Sequence, residues 1–275
     1  HQFSILPGGL TQQPSSHLIS QYKKTFNKLH NFINNVFTNH LVTLVGEFNS
    51  YFNIGSFNNM LSYSGFPALD NKKSTLFKAG VYLNKTPGIY DGNGKAFNFD
   101  DDLIQEYTNY SFYKHSKINP KEGTTIPDGS KNKAYSWIKA PRYEGNPMEV
   151  GPLARTVIGY LNDYTGTSLV KKEVDNLLRI TGKDISAIFS LWGRHLSRLV
   201  ESKMFCQKSL EWIELIDKNK SAYEPFQFTG SSSAKGLIEG PNGSLGHWIT
   251  IQNKKIITHQ SISGSTWNCS PRDNK

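Results

Sequence analysis

Two long stretches carry apolar residues at three- and four-residue steps, and nothing else in the chain constrains its fold as much. Leu18, Tyr22, Phe26, Leu29, Ile33, Phe37, Leu41, Leu44 and Phe48 fall along one stripe. A helix of 3.6 residues per turn needs such a stripe to bury a face. Pro14-Ser15-Ser16 offers its start, with a serine to cap the first turn, and the pattern ends near Gly55. The second stretch runs from Asp184 to about Asp217 through Ile185, Phe189, Trp192, Leu196, Leu199, Met204, Leu210, Ile213 and Leu215, with slippage near Lys203. Before it, Gly182-Lys183-Asp184 reads as a helix stop followed by a fresh N-cap. Shorter helices are expected after Gly151-Pro152 and from Ser168 to Ile180.

Between and after these helices the period changes. Val81-Tyr82-Leu83 and Ala96-Phe97-Asn98-Phe99 flank Asp91-Gly92-Asn93-Gly94, which predicts a short hairpin with glycine-supplied positive φ. Asp100-Asp101-Asp102 should open a short helix carrying Leu103, Ile104 and Tyr107, since acidic residues suit a helix N-terminus. A polar loop is expected from about Asn109 to Lys133. From Lys235 onward Trp248-Ile249-Thr250-Ile251 and Lys255-Ile256-Ile257-Thr258 read as strands around Gln252-Asn253-Lys254. The class is therefore α+β: a mainly helical, long-helix bundle with small antiparallel β elements. No internal repeat and no domain boundary stands out, so residues 1–275 read as a single domain.

Composition narrows the function classes. Hydrophobic content is 37%, which suits a globular chain with long polar loops. No apolar run is long enough for a transmembrane helix. Formal charge is +9, but the lysine doublets at 23–24, 72–73, 171–172 and 254–255 are scattered, with no nucleic-acid module around them. A nucleic-acid partner is therefore not expected, and a basic nucleic-acid-binding protein is the weakest of three readings. The chain opens at His1 without a methionine or the layout of a signal peptide, and reads as an incomplete middle portion of something longer.

Taken alone, the chemical signals are modest. Cys206 and Cys269 make neither a disulfide framework nor a metal-binding pair by spacing; Cys206 suits a buried position. The eight histidines show no metal-ligand spacing, and His247 beside Trp248 reads as a packed residue. Asp100 to Asp102 lack the oxygen-ligand loop of a calcium site. Ser231-Ser232-Ser233 has no nucleophile elbow around it. Gly240-Pro241-Asn242-Gly243 passes as an ordinary turn.

Longer blocks add more. Gly236-Leu-Ile-Glu-Gly-Pro-Asn-Gly-Ser-Leu-Gly-His-Trp248 is followed by Ser265-Thr-Trp-Asn-Cys-Ser-Pro-Arg-Asp273. Upstream lie Lys139-Ala-Pro-Arg-Tyr-Glu-Gly-Asn-Pro-Met-Glu-Val-Gly-Pro-Leu-Ala-Arg155, Gly65-Phe66-Pro67 and Pro7-Gly8-Gly9. In this order they resemble the large subunit of nickel–iron hydrogenases, most nearly the respiratory uptake type. That resemblance implies a mainly helical subunit burying a nickel–iron centre with carbonyl and cyanide on iron, set against an iron–sulfur small subunit. It implies reversible oxidation of dihydrogen to protons and electrons. It also implies a periplasmic or partner-mediated membrane location, with the cytoplasm left open. The family holds its metals with two Cys-x-x-Cys pairs, and this chain contains neither. Both are expected outside it, so the chain by itself should carry no nickel ligand and no activity.

The resemblance also assigns wall residues. The family's Ala-Pro-Arg-Gly turn reads Gly240-Pro241-Asn242-Gly243 here, so Pro241 and Asn242 would lie over the metals. A guanidinium offers fixed charge and five donors, an amide two donors and none, so the wall would be weaker at Asn242. Ser265 would be the hydroxyl donor toward an iron cyanide, and Ser263 and Gly264 would line the same wall. The Ser261 carbonyl would face a buried magnesium-type site. Cys269 is not carried over as a ligand. Glu149 and Arg155 are expected in structural ion pairs or hydrogen bonds. The second reading is a non-catalytic scaffold that keeps the fold after losing its metals, like the quinone-site subunit of respiratory complex I.

Overall fold

A computed structural model describes residues 4–68, 74–83, 96–163, 168–217, 219–225, 227 and 230–273. Its helices are α1 (Ser16–Phe32), α2 (Thr38–Glu47), α3 (Pro152–Leu161), α4 (Leu169–Thr181), α5 (Leu191–Glu214) and α6 (Gly264–Asn268). The strands are β1 (Ile5–Leu6), β2 (Gly9–Leu10), β3 (Met60–Pro67), β4 (Thr75–Tyr82), β5 (Ile104–Tyr107), β6 (Lys117–Ile118), β7 (Ala140–Tyr143), β8 (Ser232–Gly240), β9 (Gly243–Gln252) and β10 (Lys255–Ile262). They pair as β1-β2, β3-β4, β6-β5-β7 and β10-β9-β8, every pairing antiparallel.

The first predicted helix forms, but not as one uniform α-helix. Ser15 caps it, its hydroxyl accepting from the Leu18 N–H at 3.2 Å. Leu29, Ile33, Phe37 and Leu41 are spaced by three successive steps of four. Each such step overshoots an α-turn by roughly 40°. A π-helical segment, Ile33–Phe37, joins α1 to α2 and takes up the excess, with the Thr38 N–H reaching back to the Ile33 carbonyl. Ile33 and Leu41 are buried as a result, while Leu18, Leu29 and Phe48 from the same stripe are exposed.

α4 starts at a Ser168 cap and stops at Gly182 with φ of 65°. Beyond it, Asp184 caps a single 3-10 turn (Ile185–Ile188) and Ser190 caps α5. α5 runs unbroken through Lys203, so the expected slippage is not a break. Its apolar stripe stays in the core through Met204 and Cys206, whereas Leu215 is exposed.

Two local expectations need correction. Asp101–Leu103 makes one 3-10 turn only, and Ile104–Tyr107 is a strand rather than a continuing helix. Its burial alternates, with Ile104 and Glu106 inward, because β7 pairs along it. The main partner of β4 is β3, not the segment around Phe97. The expected pairing survives as one bridge, Val81 and Phe97 exchanging backbone hydrogen bonds of 2.9 and 2.7 Å. The turn at 91–94 lies outside the described residues. The hairpin at the other end forms as read: Gln252 pairs with Lys255 across Asn253 (φ 49°) and Lys254 (φ 63°).

Apolar side chains gather in two clusters. One packs α3, α4, α5 and the first helices around Trp192, Leu196, Leu177 and Ile158; the other packs the sheets around Tyr143, Trp248, Ile262 and Trp267. β3 joins them, with Met60 in the first and Leu61 in the second.

Candidate functional site

The seam between the two clusters ends in a cleft of about 730 Å³. The β8–β9 hairpin supplies its rim. Gly240 pairs with Gly243, leaving Pro241 and Asn242 as the connecting residues. Proline presets φ at the first of these, and Gly243 takes φ of 125°. The turn is wedged between two helix starts. A Cβ on Gly243 would fall 2.8 Å from the Gly151 nitrogen, and one on Gly264 would fall 2.4 Å from the Asn242 carbonyl oxygen. Only glycine fits at either place.

A buried ionic cluster holds the turn from behind. Arg155 on α3 donates through Nε and Nη2 to Glu201 on α5 at 2.5 and 2.9 Å, and through Nη1 to Glu239 on β8 at 2.6 Å. Its remaining donors reach the carbonyls of Gly240 (2.9 Å) and Pro241 (3.4 Å). Glu239 also accepts from the Tyr63 N–H at 2.8 Å and from the Ser244 hydroxyl. Burial pushes the Glu201 carboxyl up, against the pull of Arg155. Burial opposes the Arg155 charge too, yet the paired glutamates outweigh it and raise the guanidinium further.

The opposite rim comes from α6. Ser263 and Thr266 form a capping box, and the helix projects Ser265 into the cleft. Asn268 at its end binds the Val150 backbone twice, accepting at 2.9 Å and donating at 3.0 Å. Arg142 joins β7 to the tail, donating to Asp273 at 2.5 Å, to Ser270 at 3.0 Å and to the Pro271 carbonyl at 3.1 Å.

The expected wall residues therefore meet. Pro241, Asn242 and Ser265 line one cleft. Gly264 packs under the Asn242 carbonyl, and the Ser263 side chain is taken up by the cap. Ser261 lies elsewhere, on β10 opposite His247. Glu149 and Arg155 each sit in ion pairs, though not with each other: Glu149 takes both Nε and Nη2 of Arg194 at 2.8 Å. Sequence reasoning missed Arg142, Arg194 and Arg198 as cleft residues. It also missed α6, although the Ser263-x-x-Thr266 spacing is a capping signal.

Metal donors are a separate matter. A thiolate-held centre needs a cluster of sulfur ligands. Cys206 is buried in α5 with its thiol raised by burial and directed at the Phe26 carbonyl (3.4 Å), and only Cys269 reaches the cleft. Among the described residues, the one group of three or more His, Cys, Asp or Glu side chains close enough to share an ion is Asp100–Asp102. Of these, Asp100 accepts from the Asp102 N–H, Asp101 binds Lys235 and Asp102 binds Lys121. The described cleft residues do not make up a thiolate ligand set.

Comparison with known proteins identifies the family. The family model described as nickel-dependent hydrogenase matches residues 1–275. The chain belongs to that family. It is 29% identical over 281 residues to the periplasmic [NiFeSe] hydrogenase large subunit of Desulfomicrobium baculatum, covering 99% of this chain and 52% of that protein. It is 32% identical over 280 residues to the hydrogenase-1 large chain of Escherichia coli K12, covering 89% and 46%. The solved H2-activated D. baculatum [NiFeSe] hydrogenase superposes with a TM-score of 0.84, covering all of this chain and 55% of that one. This hydrogenase-family chain thus spans about half the length of the relatives it matches, and its fold is that of a hydrogenase large subunit.

Proposed function

We propose that residues 1–275 form one wall of the metal pocket in the large, catalytic subunit of a nickel–iron hydrogenase. That enzyme oxidises dihydrogen reversibly and passes electrons to an iron–sulfur small subunit. One observation carries the reading: Pro241-Asn242 and Ser265, from two separate blocks, converge on one cleft. When bound, the nickel–iron centre, with carbonyl and cyanide on iron, supplies the heterolytic chemistry; its thiolate ligands come from outside this chain.

The residues present have roles that follow from their groups. Pro241 offers no N–H and keeps its stretch of the rim apolar. Asn242 offers two uncharged amide donors. The Ser265 hydroxyl would serve as a donor toward an anionic diatomic ligand of that centre. Ser263 and Gly264 hold the α6 start against the turn, so that the two donors keep their spacing. The Ser261 carbonyl, which lies on β10 apart from the cleft, would be this chain's backbone contribution to a magnesium-type site. The location proposed is periplasmic or membrane-associated through partners; among the described residues no helix is long and apolar enough to cross a membrane.

Asn242 favours a second reading, a scaffold that has kept the fold and lost the metals, because the amide lacks the charge of the family's arginine. One substitution separates the two. In the whole subunit with its partner, Asn242→Arg should raise hydrogen-dependent viologen reduction by about a hundredfold to a thousandfold, the worth of one preorganised donor. Background-level reduction in both forms would establish the scaffold instead.

A further inference from the structure

The β9–β10 sheet carries a pair of side chains that the cleft does not use. Side chains alternate across a strand. Trp248 turns into the second core and Gln260 is buried, so His247 and His259 beside them lie on the outer face. They sit diagonally across the ladder, where His247 pairs with Ser261 and Ile249 with His259. Their rings stack at 5.2 Å and 20°, with Nδ1 of His247 2.9 Å from Nε2 of His259.

We propose that His247 and His259 form a cross-strand chelate for a divalent copper-type cation, independent of the hydrogenase reading. Metal–imidazole bonds are about 2.0–2.1 Å long. Two such bonds at a right angle separate their nitrogens by about 2.9 Å, and at a tetrahedral angle by about 3.3 Å. At 2.9 Å the two nitrogens are already within the span of either pair, and copper is the divalent cation that imidazole ligands hold most tightly. The free pair is held by this ring-to-ring hydrogen bond, and both rings turn out of it to aim their lone pairs at one ion. In the free pair one ring donates its proton to the other. On binding, that proton moves to the outer nitrogen of its own ring, so neutral rings give up no proton. Gly236, opposite His247 on β8, leaves open space beside it, room for the water ligands that complete the shell. The Ser261 hydroxyl faces the same way as His247 and is the nearest further donor by register.

The test is titration of this chain with Cu²⁺, then Ni²⁺ and Zn²⁺, in a non-chelating buffer, followed by calorimetry and by electron paramagnetic resonance of the copper form. One copper site with two equatorial imidazole nitrogens is expected, with copper bound more tightly than nickel or zinc. His247→Gln and His259→Gln should each weaken it by more than tenfold, and His115→Gln should leave it unchanged. All three substitutions fall outside the two cores, and circular dichroism checks that the fold is kept. Undiminished copper binding in His247→Gln or His259→Gln would overturn the proposal, as would a wild-type spectrum showing one imidazole.

Discussion

Arg155 shows what a single residue does here. Its five N–H donors are all used, on two glutamates from different elements and two carbonyls of the cleft turn. Removing the guanidinium strands two buried carboxylates, which typically costs about 3–5 kcal/mol. Arg155→Ala should therefore show that loss in urea unfolding at neutral pH. The pH dependence follows from the direction of the Glu201 shift. Its folded pKa is raised, first by burial, so its contribution is full below the ordinary carboxylate range and is lost as pH rises through the raised value. In Arg155→Ala, Glu201 loses its counter-charge and is driven further that way. The defect should shrink on acidification, and a constant defect across that range would contradict the assignment. The sequence placed Arg155 in a structural ion pair, but its partners lie 46 and 84 residues away, beyond the reach of local pattern.

At the scale of elements, caps are the clearest test. Asp184 opens the 3-10 turn before α5, accepting from both the hydroxyl and the backbone N–H of Ser186. These bonds, the hydroxyl first, hold its carboxyl below the usual range. Its contribution is then full above the ordinary carboxylate value and lost as pH falls through the depressed one. Asp184→Ala should cost about 1 kcal/mol at neutral pH, the usual worth of an N-cap, and less once the carboxyl is protonated. Thermal melts at both pH values read it directly. Elements with such local signatures were legible: the Ser15 start, the Ser168 and Gly182 ends of α4, and the Asn253-Lys254 turn. β3 and β5 were not, because their pairing comes from β4 and β7. The Asp100–Asp102 run suggested a helix, and the strand partner decided otherwise.

At the scale of the whole molecule, the blocks that carried the resemblance turn out to be where distant parts meet. Lys139–Arg155 reaches the tail through Arg142 and Asp273, and reaches α5 and β8 through Arg155. The hairpin turn and α6 close on Val150 and Gly151. The cleft is thus built by this chain, while the thiolates of a nickel–iron centre are not in it. The most direct measurement is nickel content after dialysis against EDTA, paired with hydrogen-dependent viologen reduction, on the chain of residues 1–275 produced with nickel and the maturation machinery of a hydrogenase. EDTA strips any labile histidine-bound ion. The account predicts no retained nickel and no reduction; one nickel retained per chain together with hydrogen oxidation would contradict it.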